Sequence, residues 1–169
     1  MIAEALAGKR IAITGSTGFV GTALVERLLR QVPDCELVLL VRPGRRTSAA
    51  QRVKREILRN DAFNRLRESL GGPGFEAMSG RRVHTIAGDV GTDGLGLDEA
   101  DRATFAACDI VIHSAATVAF DSPLDSAVEV NLLGPTRIVT LLQELGVAPH
   151  VVAVSTCYVA GNRRGRAPE

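Results

Sequence analysis

The sequence predicts an α/β fold built on one parallel, doubly wound sheet. Short, continuous apolar runs alternate along the chain with longer stretches whose apolar residues recur at helical spacing. Continuous apolar runs are typical of strands that helices cover on both faces, as in parallel sheets. The chain has 169 residues, which is enough for one domain with a substantial core. We therefore expect about five strands in the order 3-2-1-4-5, joined by right-handed crossovers.

Five apolar runs are predicted to be the strands. Each run is too short to form a helix of its own, and polar or turn-forming residues stand on either side of it. The predicted strands cover residues 10–14, 37–41, 83–87, 109–113 and 150–155.

The stretches between these runs are predicted to contain the crossover helices. In the first stretch Val20, Leu24, Leu28 and Val32 mark a buried stripe, which Pro33 ends. Further helices are predicted over residues 48–70, which are polar and rich in arginine, over 98–105, and from about 123 to 145.

Residues that break or cap helices set the expected boundaries. The cluster Leu-Gly-Gly-Pro-Gly at residues 70–74 is predicted to be a loop. Asp121 or Ser122 is the expected cap of the helix that carries Pro123 in its first turn, and Gly146 follows the end of that helix.

Composition and charge disfavour several classes of partner. Hydrophobic residues make up 46% of the chain and charged residues 23%, with a net charge of +1. This near-neutral balance provides no global attraction to nucleic acid or to an anionic membrane surface. The arginine-rich residues 42–67 leave DNA binding with a salt-sensitive affinity as an alternative, but no recognition motif accompanies them. We expect no nucleic-acid partner.

The spacing of cysteines and histidines indicates reduced thiols and no metal site. Cys35, Cys108 and Cys157 are far apart and form no Cys-x-x-Cys pair, so we expect a cytoplasmic protein. The three histidines are equally scattered and lack metal-ligand spacing. Neither a signal peptide nor a run of about 20 apolar residues occurs, so we expect a soluble domain.

Residues 14–21, Thr-Gly-Ser-Thr-Gly-Phe-Val-Gly, follow the first predicted strand and open a helix, as a dinucleotide-binding turn requires. Gly15 permits the sharp turn, Gly18 lets backbone N–H groups approach a diphosphate, and Gly21 lets the helix pack close to the sheet. The helix N-terminus adds partial positive charge. No Gly-Lys-Ser/Thr follows, which excludes a Walker-type loop. The expected contacts of the diphosphate are Gly15, Ser16, Thr17, Gly18, Phe19, Val20 and Gly21.

The residue after the second predicted strand indicates NADP rather than NAD. An acidic residue at this position selects NAD, whereas an arginine accommodates the 2′-phosphate of NADP. Here the apolar run 39–41 is followed by Arg42, and a guanidinium group binds phosphate well. We therefore expect NADPH as cofactor, with Arg42 at its 2′-phosphate. Arg52, Lys54 and Arg55 further along are typical of a solvated helix face.

Six short motifs occur along the chain in order. They are Thr-Gly-Ser-Thr-Gly-Phe-Val-Gly at 14–21, Leu-Val-Arg-Pro at 40–43, Gly-Asp-Val at 88–90, Ile-His-Ser-Ala-Ala-Thr-Val at 112–118, Val-Asn-Leu-Leu-Gly-Pro at 130–135 and Val-Ser-Thr-Cys-Tyr-Val-Ala-Gly at 154–161. Together they resemble the extended short-chain dehydrogenases/reductases over nearly the whole chain. The resemblance is closest to fatty acyl-CoA reductases of the male-sterility type and to the thioester reductase domains of carboxylic acid reductases. It implies a Rossmann-type fold.

The resemblance also implies roles for individual residues around the cofactor. Asp89 and Val90 correspond to residues that contact the adenine, and Ala115 and Ala116 to small residues beside the nicotinamide ribose. Asn131 corresponds to a helix asparagine that organises a water and backbone hydrogen bonds. Each of these residues also has an alternative interpretation. Asp89 can be a turn residue, and Ala115 and Ala116 can be packing residues. Asn131 can be a buried polar group whose hydrogen bonds are made locally.

By the same resemblance Thr156 hydrogen-bonds the substrate carbonyl oxygen, where a hydroxyl is a suitable donor to developing oxyanion charge. The family's Tyr-x-x-x-Lys pair is missing, because Tyr158 is the only tyrosine and no lysine follows Lys54. Cys157 has no basic neighbour in the sequence that would activate it as an acyl-enzyme nucleophile. We therefore expect residues 1–169 to be the cofactor-binding, N-terminal part of a longer reductase, inactive without the tyrosine, the lysine and the substrate region.

For the longer protein the resemblance implies NADPH-dependent reduction of a fatty acyl thioester, carried by coenzyme A or a carrier protein, to an aldehyde or alcohol. Sugar-nucleotide epimerases or dehydratases and steroid dehydrogenases use the same scaffold and are the alternative enzymes. A non-catalytic module that senses NADP or binds another protein is the alternative from a different class.

Overall fold

One parallel sheet organises the chain. The computed structural model describes residues 2–119, 121–158, 160–166 and 168. Its strands are β1 (Arg10–Thr14), β2 (Glu36–Val41), β3 (Val83–Ala87), β4 (Ile110–His113) and β5 (His150–Ala153). Among the described residues they pair in parallel in the order β3-β2-β1-β4-β5. The predicted doubly wound α/β architecture of the Rossmann type is confirmed.

Helical segments connect the strands. The α-helices are α1 (Ile2–Leu6), α2 (Phe19–Gln31), α3 (Ala49–Arg52), α4 (Asn64–Arg82), α5 (Glu99–Ala106), α6 (Leu124–Ala127) and α7 (Leu133–Glu144). A π-helical segment, Val53–Leu58, continues α3, and a second, Val128–Leu132, joins α6 to α7. Short 3₁₀ turns cover Asp61–Phe63 and Asp93–Gly96. Among the described helices, none is long and apolar enough to cross a bilayer.

The arginine-rich region is not the single helix predicted over residues 48–70. Ser48 caps α3 through a reciprocal capping box with Gln51, and the chain then widens into the π-helical segment. Asn60 caps the following 3₁₀ turn by accepting a backbone N–H. Side chains that cap a helix stop the preceding helical run and start another, which the spacing of apolar residues does not register.

The break predicted at residues 70–74 is present but shorter than the predicted loop, because it is confined to Gly71, where two helical stretches of α4 meet at a kink. Within α4 only Gly71 leaves the helical conformation, at φ 68° and ψ 164°. Glycine adopts a positive φ without a steric penalty. Pro73 then lies in the first turn of the resumed helix, where its missing N–H has no intrahelical acceptor to lose.

Two boundaries on the β4 side of the sheet also differ from the prediction. Neither Asp121 nor Ser122 caps the helix after β4, since Pro123 is the N-cap residue and makes no side-chain capping bond. The last strand ends at Ala153, earlier than predicted. Because β5 has a single neighbour among the described strands, its final residues lack a second ladder to extend them.

The buried face of α2 agrees with the predicted stripe except at its first residue. Leu28 and Val32 are buried and Leu24 packs against the core, as expected. Val20, however, is 53% exposed, and Val25 and Leu29 are also part of the core. Val20 stands in the first turn of α2, at the open carboxyl edge of the sheet, where no second layer covers it.

Alternate residues of the strands supply two separate cores, one on each face of the sheet. Side chains of successive strand residues point to opposite faces, so each strand contributes to both. One core joins Ile11, Ile13, Leu37 and Leu39 to residues of α2, α3 and α4. The other joins Ala12, Val38, Leu40 and Ile86 to Phe105 of α5 and to Ile138 and Leu141 of α7.

The direction of winding reverses between β1 and β4. The first strand pairs with β2 on one side and with β4 on the other, and the helices after β1 and β4 pack on opposite faces. Loops that leave two such strands diverge, which opens a crevice beyond their carboxyl ends. Eight of the fourteen predicted site residues line the cleft at this point.

A buried arginine joins the end of α4 to the end of α2. Arg82 is 8% exposed. Its guanidinium donates to the carbonyl oxygens of Leu29 at 2.9 Å, Val32 at 2.7 Å and Cys35 at 2.8 Å. Carbonyls at a helix C-terminus lack intrahelical hydrogen-bond donors and carry partial negative charge. A guanidinium group there donates the missing hydrogen bonds and compensates the charge.

Replacing Arg82 by methionine is expected to lower the free energy of unfolding by about 2–4 kcal/mol, because buried carbonyls lose charge-assisted hydrogen bonds. Urea unfolding followed by circular dichroism measures this change. The matched control is Arg81→Met, since Arg81 is its exposed neighbour on the same helix and surface changes usually stay within about 0.5 kcal/mol. Equal stability of the two variants would contradict the capping role.

Candidate functional site

A cleft of about 280 Å³ lies at the carboxyl edge of the sheet, around the point where the winding reverses. The loops that follow β1, β2, β3 and β4 all contribute to it, together with one residue of α3 and one of the second π-helical segment. The lining residues are Thr14, Gly15, Thr17, Gly18, Leu40, Val41, Arg42, Arg52, Gly88, Asp89, Val90, Ser114, Ala115, Ala116, Thr117 and Val130.

Gly15 lets the turn after β1 press directly against the segment after β4. It has a positive φ of 71°. A Cβ atom at this position would lie 2.5 Å from the carbonyl carbon and oxygen of Ser114 and from the nitrogen of Ala115. Atoms of the main chain cannot move aside cheaply, so the turn requires glycine for the close approach as well as for the conformation.

Gly21 and Gly18 fold the turn onto the start of α2. A Cβ atom on Gly21 would overlap the carbonyl oxygen of Gly15 and lie 2.7 Å from the Cα atom of Ser16. The Gly18 N–H donates to the same carbonyl oxygen at 3.0 Å. The amide of Gly18 is therefore used inside the turn, and the amides that face outward belong to the first turn of the helix.

The first turn of α2 has the properties of an anion site. Gly18 is its N-cap and supplies no side-chain hydrogen bond, and the turn contains no acidic residue. The first N–H groups of a helix have no intrahelical acceptor and carry the positive end of the helix dipole. Phe19 at the helix start is 93% exposed, so no packing layer covers these amides. A diphosphate fits this chemistry.

Ser16 lies beneath the turn and not in the cleft. It is 1% exposed, and its hydroxyl has no hydrogen-bond partner within the part of the chain that the structure describes. Its carbonyl oxygen accepts a bond from the Thr22 hydroxyl at 3.0 Å, which holds the turn against α2. The arrangement makes Ser16 part of the base of the turn.

A buried hydroxyl links the ends of β1 and β4. The Thr14 Oγ1 atom accepts the N–H groups of Ser114 and Ala115, both at 3.2 Å. The same oxygen lies 2.8 Å from Nδ1 of His113. Burial lowers the pKa of His113, so the imidazole is neutral near pH 7. Since the two N–H groups can only donate, the threonine proton goes to Nδ1, and His113 carries its own proton on Nε2.

The charged end of the cleft is built around Arg42. Its side chain is exposed, and Nη1 lies 3.5 Å from an oxygen of Asp89, a weak contact across the cleft. The other carboxylate oxygen of Asp89 accepts the N–H of Gly91 at 2.9 Å, which closes a local turn. The alternative interpretation of Asp89 as a turn residue thus describes part of its role, and the residue also lines the cleft.

Arg52 supports Arg42 from the adjacent helix. It donates to the carbonyl oxygen of Arg42 at 2.6 Å and forms a two-pronged pair with Glu56, at 3.0 and 2.7 Å. Hydrogen bonding to Arg52 lowers the pKa of the Glu56 carboxyl. The prediction of a solvated helix face is wrong for Arg52, because this side chain is half-buried and bonds to the backbone at the end of β2.

The second π-helical segment contributes another part of the wall of the cleft. Val130 lines the cleft. Asn131 accepts the N–H of Thr117 at 2.8 Å and donates to its carbonyl oxygen at 2.9 Å. Asn131 is exposed, so the alternative of a buried polar group was wrong, although its amide is satisfied locally. The Arg137 guanidinium donates to the Glu129 carboxylate of this segment at 2.6 Å and to the Asp93 carboxylate at 2.8 Å.

Not all of the predicted residues reach the cleft. Thr156 follows β5 and is exposed, and its hydroxyl oxygen accepts the N–H of Tyr158 at 3.1 Å. In the same motif Val159 lies outside the described residues. The predicted residues that do not line the cleft are Ser16, Phe19, Val20, Gly21, Asn131 and Thr156.

Several residues of the cleft were missed by the sequence analysis. Thr14, Gly88, Ser114, Thr117 and Val130 stand inside the motifs already recognised, so their position in the motif was the available signal. Leu40 and Val41 belong to the motif at 40–43, but the sequence assigned them a place in a strand and no role in the site. Arg52 carries no signal in the sequence, since its position depends on how α3 packs beside β2.

Sequence comparison places this site in a known family. A family model described as "Male sterility protein", an NAD-binding family, matches residues 13–169. The chain is 34% identical over 167 residues to fatty acyl-CoA reductase 2, chloroplastic, of Arabidopsis thaliana, covering 97% of this chain and 27% of that protein. It is 33% identical over 165 residues to fatty acyl-CoA reductase 1 of Rattus norvegicus, covering 96% and 31%. The chain spans less than a third of the length of these two curated relatives.

Solved structures share the fold. The terminal R domain from the myxalamid PKS-NRPS biosynthetic pathway superimposes with a TM-score of 0.72 at 29% identity, covering 95% of this chain and 37% of that one. The Helicobacter pylori ADP-L-glycero-D-manno-heptose-6-epimerase reaches a TM-score of 0.58 at 20% identity, covering 96% and 44%, which is a likeness of fold alone. With the family model matching all but the first residues, the chain belongs to the male sterility protein family of NAD-binding domains.

Proposed function

We propose that the chain binds NADPH at the carboxyl edge of its sheet as part of an enzyme that reduces fatty acyl thioesters. The observation that carries the proposal is a single cleft lined by the glycine turn, by Arg42 and by residues 114–117. Such a cleft offers helix amides to a diphosphate, a guanidinium to one end of the dinucleotide and small side chains to the other. The relatives named fatty acyl-CoA reductases support the reaction.

The preference for NADPH rests on the charge at the end of β2. Arg42 is exposed and its only described ion pair is the long one with Asp89, so its guanidinium is free to bind a 2′-phosphate. Arg52 braces the backbone of Arg42 and is itself held by Glu56. We assign Arg42 as the phosphate ligand and Arg52 as the residue that positions it.

Replacing Arg42 by alanine is expected to weaken NADPH binding about 10- to 100-fold, because a charge-assisted hydrogen bond is worth about 1.5–3 kcal/mol. Binding of NADH is expected to stay unchanged. Fluorescence titration of both nucleotides measures the two dissociation constants. Arg45→Ala is the matched control, since Arg45 is an exposed arginine of the same segment that does not line the cleft. An unchanged ratio of NADPH to NADH affinity in Arg42→Ala would refute the assignment.

The Thr14 hydroxyl is expected to be needed for cofactor binding, because it holds the segment after β4 beside the glycine turn. Thr14→Val keeps the shape of the side chain but leaves two amides and one imidazole nitrogen without their partner, so we expect NADPH affinity to fall about tenfold or more. Thr14→Ser restores the hydroxyl and is expected to restore binding. Titration of NADPH against both variants provides the comparison. Weakening of NADPH binding by Thr14→Ser as large as that by Thr14→Val would contradict the role assigned to the hydroxyl.

In the proposed reaction Thr156 donates a hydrogen bond to the thioester carbonyl oxygen, where negative charge develops. The reduced nicotinamide supplies a hydride when bound. The glycine turn and Arg42 hold the cofactor, and the segment 114–117 presents small side chains beside its reactive ring. We propose that the tyrosine and lysine that complete proton transfer, and the region that binds the acyl chain, lie elsewhere in the full-length protein. We propose a cytoplasmic location for it.

Full-length protein incubated with NADPH and palmitoyl-CoA is expected to oxidise the cofactor and release an aldehyde or alcohol. Thr156→Val is expected to lower kcat about 100- to 1,000-fold, as loss of one oxyanion donor does. Thr156→Ser is expected to keep most of the activity. Absorbance at the nicotinamide band measures the rate of NADPH oxidation by each variant, and mass spectrometry identifies the aldehyde or alcohol product. Absence of NADPH oxidation with every acyl thioester offered would remove the proposed reaction and leave cofactor binding to be judged separately.

A further inference from the structure

A second cavity, of about 650 Å³, opens on the β3 side of the sheet and shares no lining residue with the cofactor cleft. Its floor includes Val83 and Thr85, which stand two residues apart on β3 and so point to the same face. One wall is the π-helical segment Val53–Leu58 and the other is α4. The helical layer on this face is therefore incomplete, and the gap exposes part of the sheet. Cavities of about 300–1,000 Å³ are typical of small-molecule sites.

The interior of this cavity is mainly apolar. Val53 and Phe75 are buried within the adjoining core, and Leu58 and Val83 are packed against that core from the cavity side. Val53 and Leu58 stand on the π-helical wall, Phe75 on α4 and Val83 on the floor, so apolar groups meet from three sides. An alkyl chain is the ligand group that such a lining favours, since it removes apolar surface from water without needing hydrogen bonds.

The rim of the cavity is cationic. Its charged lining residues are Lys54, Arg59, Arg67 and a single acid, Glu76. Lys54 and Arg59 are exposed and have no carboxylate within salt-bridge distance among the described residues. Glu56, the acid nearest to Lys54 in the sequence, is already paired with Arg52 and Arg55. The rim therefore carries uncompensated positive charge.

Arg67 is held in place but keeps its charge available. Its guanidinium donates to the carbonyl oxygens of Leu58 at 2.7 Å and Asn60 at 3.0 Å, and lies 5.7 Å from the centre of the Phe75 ring. These partners are neutral, so they orient the cation without cancelling it. A preorganised cation above an aromatic ring suits a ligand whose charged head sits at the mouth and whose body lies deeper.

Two glycines keep the mouth open. Gly72 and Gly80 both line the cavity, and a Cβ atom built on either would meet nothing within 4 Å. Neither has a positive φ, so neither position needs glycine for its backbone conformation. The absence of side chains at these positions leaves the entrance unobstructed.

We propose that this cavity is a binding site for a fatty carboxylate, with the alkyl chain between the π-helical segment and α4 and the carboxylate at Lys54, Arg59 and Arg67. The site rests on the cavity itself and goes beyond the proposed reductase function. The helical arm formed by α3 and the segment Val53–Leu58 lies between the cavity and the cofactor cleft. Arg52 of this arm lines the cleft, whereas Val53 and Lys54 line the cavity.

Calorimetric titration of the full chain with dodecanoate tests the proposal without any measurement of activity. Saturable binding of one dodecanoate is expected, with dodecan-1-ol and acetate each at least about tenfold weaker, since one lacks the charge and the other the chain. The double variant Lys54→Gln/Arg59→Gln is expected to lose at least about tenfold in affinity. Arg81→Gln, an exposed cation outside the cavity, is the control and is expected to bind like the wild type.

Gly80→Leu gives an independent test, because leucine favours a helix and its side chain fills the mouth of the cavity. Loss of dodecanoate binding with an unchanged or raised melting temperature is expected. Three results would overturn the proposal, namely no saturable binding of dodecanoate, wild-type binding by Gly80→Leu, or stoichiometric displacement of dodecanoate by NADPH. The last result would assign the carboxylate to the cofactor cleft. Because the readout is binding alone, failure of acyl thioester reduction leaves the result intact.

Discussion

The contact between the turn after β1 and the segment after β4 is the constraint on which the site depends. No Cβ atom fits at Gly15, since the main chain of Ser114 and Ala115 occupies that space. Thr14 reinforces the contact by accepting both of the neighbouring amides. The two segments leave the sheet toward opposite faces, yet they are joined where they start. At this contact the wall of the cleft is formed by backbone and small residues, which leave room for a ligand to approach the main chain.

Charge is distributed unequally around this opening. At the start of α2 the positive potential comes from unpaired amides with no acidic side chain nearby in the helix. At the end of β2 it comes from Arg42, which Arg52 holds by its carbonyl. Asp89 faces Arg42 but is engaged by the amide of Gly91, so it orients the guanidinium without a close ion pair. The two positive regions follow neighbouring strands, β1 and β2, so the sheet fixes their relative position.

The helical arm after β2 connects this cleft with the cavity beside α4. Its first turn begins at Ser48 with a capping box, and its second half is π-helical. Arg52, the last residue of α3, lines the cleft, whereas Val53 and Lys54, the first residues of the π-helical segment, line the cavity. π-Helical segments are often found at functional sites, and the second one in this chain likewise borders the cleft through Val130.

Much of the architecture followed from local pattern. The strand order could be predicted from the apolar runs of strand length and from the glycine turn after the first run. Right-handed crossovers leave few possible arrangements of five parallel strands. Local pattern failed in the region from Ser48 to Gly74, where capping by Ser48 and Asn60 and a positive φ at Gly71 divide the helices. Apolar spacing reports which face is buried, and it carries little information about where a cap or a single backbone dihedral interrupts the helix.

The sequence by itself determined the sheet, the position of the glycine turn after β1 and the presence of Arg42 at the end of a strand, because each depends on residues adjacent in the chain. Only the tertiary structure decided that Thr14 bonds to the segment after β4, that Arg52 braces Arg42, and that Lys54, Arg59 and Arg67 surround one cavity. These contacts join different elements, and their geometry is set by how helices pack on the sheet. Packing directions are a property of the assembled core, which no short stretch of sequence contains.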